Sequence, residues 1–125
     1  MSPEQSADDF FCVATLLPIR RWQDLWPFLM LTRQIKRQLR TSPGFVRYRL
    51  KTAFFQKRFW TLSVWRSKAA ANAFVRTGAH AIAVQQFQDW AAPGAAFVEW
   101  YSPKKRVAWR EAFERLETPT YSYDL

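Results

Sequence analysis

His80 is the single histidine of this chain. It follows Gly78, at a break between two helical stretches. An imidazole titrates near neutral pH, so in a pocket it can serve as a general acid or base, or bind haem iron. It can equally cap a helix end or hydrogen-bond a backbone carbonyl. Tyr48, a phenol on a strand, is a second group able to handle a proton. Rings are abundant around these two residues, with seven Trp, eleven Phe and four Tyr in 125 residues. One small core does not require so many, which points to a lined cavity or an interface. Trp60, Trp65, Phe74, Trp100 and Tyr101 are candidates to hold a flat apolar ligand by stacking. Each also suits ordinary aromatic core.

Arg47, Arg49 and Lys51 fall on one side of an alternating stretch. Three cations there can bind carboxylates or phosphates, can pair with Glu99 across a dimer, or can form a solvated edge. Cys12 has apolar neighbours and reads as a buried, inert thiol. One His and one Cys cannot build a protein-ligated metal site, so no metal is expected. The three glycines are not spaced for a phosphate loop, and the lone histidine has no Asp/Ser setting for a hydrolase triad.

These groups need elements to position them. Phe10–Leu17 is β-rich, apolar on both faces and ends at Pro18, which predicts a strand inside a sheet. Asp24 predicts an N-cap, with Pro27 in the first helical turn. Trp22, Leu25, Trp26, Leu29, Thr32, Ile35 and Leu39 then recur at helical spacing, and Pro43–Gly44 stops the helix. Phe45–Thr52 alternates, with Val46, Tyr48 and Leu50 on one side and the cations on the other. Arg58–Trp65 is a third strand, joined through Ala53–Lys57. Phe54 and Phe55 are large rings at an odd place, near that turn.

Ser67 caps an Ala-rich helix over Lys68–Arg76, which Thr77–Gly78 interrupts, and His80–Trp90 continues it. Phe97–Ser102 is a fourth strand, and Lys105–Leu116 is an amphipathic helix. The order is βαββαβ plus a helix. It predicts an α+β, ferredoxin-like, four-stranded antiparallel sheet with two helices on one face. A second copy would cover the bare face. The expected layout is a tail over residues 1–9, one domain over 10–116 and a C-terminal tail over 117–125.

Composition narrows the function classes. The chain is 49% hydrophobic, too apolar for a disordered protein. One cysteine allows no internal disulfide. No apolar run approaches a membrane span, and the first nine residues lack a signal core, so a cytoplasmic protein is expected. The formal charge of +9 attracts anions of every kind. The cations are spread over several elements and no nucleic-acid motif is present, so nucleic acid ranks low as a partner. Contact with a membrane surface is not favoured either.

The stretch Phe59–Trp65, followed by Arg66–Ser67–Lys68–Ala69, Ala73–Phe74 and Gly78–Ala79–His80, resembles the dimeric α/β-barrel superfamily. It looks most like uncharacterised relatives of the antibiotic-biosynthesis monooxygenases and of spheroidene monooxygenase. The resemblance implies a homodimeric barrel. It also implies that no single chemistry follows from the fold, because the superfamily includes cofactor-free oxygenases and haem enzymes. The haem-degrading branch is similar in using an asparagine on its first strand, but Phe10–Leu17 has none, and that ligand set is not carried over. Three readings remain. One is an enzyme of the cofactor-independent monooxygenase type, with an apolar planar or polyene substrate. Another is a non-enzymatic haem or pigment carrier. The third is a basic anion-binding or assembly module.

Overall fold

The computed structural model describes residues 9–76, 87 and 89–122. His80 lies outside them, as does most of the expected second helical piece. The elements are β1 (Phe10–Pro18), α1 (Leu25–Arg40), β2 (Phe45–Ala53), β3 (Arg58–Trp65), α2 (Lys68–Val75), β4 (Ala96–Ser102), α3 (Trp109–Leu116) and β5 (Tyr121–Ser122). The sheet order is β2-β3-β1-β4-β5, with every pair antiparallel. Four strands form the ferredoxin-like sheet. Tyr121–Ser122 adds a short fifth at the edge, where residues 117–125 were expected to form a tail.

β1 lies at the centre, as its two apolar faces require. Its register sets both layers. Thr15 stands opposite Thr61 on β3 and Phe97 on β4, while Cys12 stands opposite Val64 and Trp100. Alternation therefore puts Phe11, Val13, Thr15 and Leu17 on one face, and Cys12 and Ala14 on the other. The first face packs against α1 and α2, through Leu39, Ala71 and Phe74 near one end and Leu25 and Phe28 near the other.

The second face was expected to be bare and covered by a second copy, but α3 and the segment before it cover it instead. Val107 and Ala112 are buried against Cys12, Ala14, Leu62, Val64, Val98 and Trp100, with Trp109 and Leu116 at the margin. Burial, with the Glu111 carboxylate adding to it and Arg115 opposing, pushes the Cys12 thiol up to about 12. The thiol is therefore neutral and inert at neutral pH.

Three local expectations are corrected. Asp24 does not cap α1: it sits in helical conformation without a capping bond, and its carboxylate accepts from Arg21 Nε and Nη2 at 2.9 and 3.2 Å. The stripe of α1 is also rotated. Leu25, Phe28, Leu31 and Leu39 are buried, whereas Trp22 and Trp26 are exposed. Finally, a register shift between Phe45 and Arg47 breaks the alternation of β2. Phe45 therefore packs with Tyr48 on the α1/α2 side, and Val46 joins the α3 side.

Ser67 does cap α2, accepting from the Ala70 N–H at 3.1 Å. Gly44 fixes the approach of β2 to that helix. Its φ is +81°, an added Cβ would lie 2.5 Å from Ala70 Cβ, and its carbonyl accepts from Arg66 N–H at 2.8 Å. Gly44→Ala therefore adds steric overlap to left-handed strain, and we expect a loss of about 2–4 kcal/mol. Gly94 has φ +107° but open space around it, so Gly94→Ala carries the strain alone. Urea denaturation of the two variants should rank Gly44→Ala as the more damaging.

Candidate functional site

The first face of the sheet and the helices above it do not close completely. They leave a cavity of about 210 Å³. Its floor is Val13, Thr15 and Leu17 of β1, Thr61, Ser63 and Trp65 of β3, Tyr48 of β2 and Phe97 of β4. The roof comes from Phe28, Leu31, Thr32, Ile35 and Leu39 of α1 and from Ala71, Phe74 and Val75 of α2. Phe87 and Trp90 form one end. Gln38 Nε2 donates to the Phe74 carbonyl at 3.4 Å, tying the two roof helices together.

The walls are mostly carbon, but the floor carries a line of hydroxyls. Thr15 and Thr61 face each other across the β1–β3 pairing and share a hydrogen bond. Trp65 Nε1 donates to Ser63 Oγ at 3.0 Å, which ties the indole to the floor. On the roof, the Thr32 hydroxyl donates to the Phe28 carbonyl at 2.9 Å. Each hydroxyl oxygen keeps acceptor capacity beyond these bonds. Burial pushes the Tyr48 phenol up to about 12, so it is a protonated donor throughout the neutral range. The arrangement can grip an apolar ring by stacking and orient one polar substituent against the floor.

The candidate residues separate by face. Trp65, Phe74 and Tyr48 line the cavity. Tyr101 shares their face of the sheet but packs edge-on against Phe11, with centroids 5.3 Å apart, and does not reach the cavity. Trp60 and Trp100 lie on the opposite face, so their expected place in the pocket wall is corrected. Trp60 packs on Phe113 of α3 at 5.6 Å. Trp100 is buried beneath α3, its ring under the Arg115 guanidinium at 5.4 Å and its indole N–H without a hydrogen-bond partner among the described residues.

Arg47, Arg49 and Lys51 belong to the α3 side of β2. Arg49 lies over the Trp109 ring and Lys51 over the Phe113 ring, each at 5.6 Å. Glu99 stands opposite Val13 on the cavity side of the sheet, three strands away from β2. It is therefore not a partner for these cations within one chain.

Sequence reasoning missed the hydroxyl floor. Thr15 and Thr61 look like ordinary strand residues one at a time. Only the register, which sets them opposite each other on an otherwise apolar face, marks them out. Phe28 and Leu31 were missed because the exposed Trp22 and Trp26 compete for the same helical stripe. Among the described residues, no group of three or more His, Cys, Asp and Glu is placed to hold a metal ion. No described helix is long and apolar enough to cross a membrane.

The fold is that of the antibiotic biosynthesis monooxygenase-like proteins. A solved structure of an antibiotic biosynthesis monooxygenase has a TM-score of 0.64 at 17% identity, covering 78% of this chain and 99% of its own. SnoaB, a cofactor-independent oxygenase from Streptomyces nogalater, has a TM-score of 0.61 at 12% identity, covering 80% and 96%. Rv0793 from Mycobacterium tuberculosis has a TM-score of 0.65 at 14% identity, covering 79% and 99%. At these identities the likeness is one of fold. No curated protein matches the chain. The profile described as "Domain of unknown function (DUF3291)" matches residues 13–120, which is most of the sequence, and the chain belongs to that family.

Proposed function

We propose that this protein is an enzyme of the cofactor-independent monooxygenase type, acting on an apolar planar substrate in the cavity between sheet and helices. The observation that carries the reading is the cavity, a carbon-walled space with half-buried hydroxyls along one side. The printed description of one relative of this fold as a cofactor-independent oxygenase supports the choice of chemistry.

Size narrows the substrate. Sites for drug-sized ligands span roughly 300–1,000 Å³, and this one is about 210 Å³. It suits a compound of one or two rings. An extended polyene does not fit, and a haem macrocycle is far too large, so the carrier reading finds no support in this cavity. The walls come from one chain, and the proposal needs no second copy.

When an oxygenation uses no cofactor, the substrate itself supplies the electrons, and loss of a proton makes it a better donor. A hydrogen-bond donor placed at the developing anion favours that step. Tyr48 remains protonated and so is not the base. It donates a hydrogen bond to the substrate oxygen on which charge gathers. We assign the base to His80, the chain's one imidazole. Thr15, Thr61 and Ser63 orient the ring from below.

Val13→Phe tests the cavity by filling its floor. We expect at least about a tenfold loss of affinity for one- and two-ring phenols and ketones in calorimetry, with the fold retained. Unchanged binding would reject the site. His80→Ala should abolish oxygen uptake with a reactive substrate and leave its affinity intact.

The state of Tyr48 has its own check. Its folded pKa of about 12 lies above the ordinary value of 10.0. Between those pH values the unfolded chain holds fewer protons than the folded one. The Tyr48 contribution to stability is therefore flat below about pH 10 and falls by about 1.4 kcal/mol per unit between there and about pH 12. Cys12 adds a parallel loss that begins near pH 9.0. Tyr48→Phe should remove the tyrosine part of the decline, measured by urea denaturation across pH 8–11.

A further inference from the structure

A second hollow adjoins the cavity. It is a cleft of about 340 Å³ between the last turns of α1 and the start of β2, lined by Lys36, Leu39, Arg40, Phe45, Val46, Arg47 and Tyr48. Leu39 and Tyr48 line both spaces, so one pair of side chains forms the partition between them. Three of the seven cleft residues are cationic. Among the described residues no carboxylate forms an ion pair with Lys36, Arg40 or Arg47, whereas Arg21 and Arg115 each have an acidic partner.

The three cations reach the cleft for separate local reasons. Lys36 and Arg40 are one helical turn apart, so they share a face of α1. Arg47 follows the register shift of β2, and because β2 is the edge strand it reaches the cleft at the border of the sheet although its face is the α3 side. Phe45 and Val46 give the cleft an apolar back, and Phe45 itself packs on Trp65 of the cavity floor at 5.6 Å. An apolar space and a cationic space thus meet across Leu39 and the Tyr48 phenol.

We infer that the ligand is amphipathic: a one- or two-ring body in the cavity, carrying an anionic group, a carboxylate, that Lys36, Arg40 and Arg47 receive in the cleft. This rests on the proposed use of the cavity and adds the charge of what enters it. Arginine and lysine together favour a carboxylate over a neutral carbonyl, because charge-assisted hydrogen bonds are the stronger ones. The position of Tyr48 between the two spaces lets its hydroxyl contact the point where ring and acid join.

The test compares 2-naphthoic acid with its neutral amide by calorimetry at low salt, on the wild type and on a K36Q/R40Q/R47Q variant. The wild type should bind the acid at least about tenfold more tightly than the amide, and added salt should erode that preference. The triple variant should lose the preference while binding the amide as before. Equal affinity for acid and amide in the wild type overturns this inference and leaves the cavity reading intact. A preference that survives in the triple variant also overturns it, because other residues then read the charge. Binding of neither compound rejects the cavity and this inference together. All three substitutions are at the protein's margin, and thermal melting of the variant confirms that it folds.

Discussion

Burial of β1 on both sides is the constraint from which the rest follows. β1 carries apolar residues on both faces, so each face of the sheet needs a cover. One is covered by α1 and α2, and the other by α3 with Val107 before it. The two covers differ in fit. Beneath α3 the small residues Cys12, Ala14 and Ala112 are wholly buried and let the helix approach closely. Beneath α1 and α2 the floor carries Thr15, Thr61 and Ser63, whose hydroxyls bond to each other and to Trp65 rather than to the roof. The cavity lies on the side where the sheet offers polar groups that the helices do not meet.

The polar groups are handled unevenly. On the cavity side hydroxyl satisfies hydroxyl, at little cost in a carbon-rich setting. On the α3 side the buried Trp100 indole N–H has no hydrogen-bond partner among the described residues, and a buried donor left so costs about 1–3 kcal/mol. The Arg115 guanidinium over its ring returns part of that. Trp100 fills the space between sheet and helix.

Much of the fold was legible in the sequence because local signals agreed with one another. The apolar run at Phe10–Leu17, the Ser67 cap and the stop at Pro43–Gly44 all belong to the expected elements. The faces were harder to read. In Phe59–Trp65 one alternating set, Trp60, Leu62 and Val64, is wholly apolar, while the other carries Thr61 and Ser63 between Phe59 and Trp65, a mixture that does not by itself say that Trp65 looks into a cavity and Trp60 away from it. Only the position of α3 settles that. The shift at Val46 was hidden for a related reason: Phe45 and Val46 are both apolar, and either fits the inner side. On α1, exposed tryptophans imitated a buried stripe. The site was therefore half visible, in its rings but not in its hydroxyls.

Among the described residues β2 ends the sheet on one side, and its outer backbone groups face no neighbouring strand. Such an edge is an invitation to any extended chain, and stacking copies along it is how soluble sheets become fibres. Here Arg47, Arg49 and Lys51 stand at every second position beside that edge, and the kink at Val46 bends its start. A copy laid alongside would press three positive charges against three more, in a molecule already carrying +9. The cations that draw anions toward this border thus also keep the protein from polymerising through it.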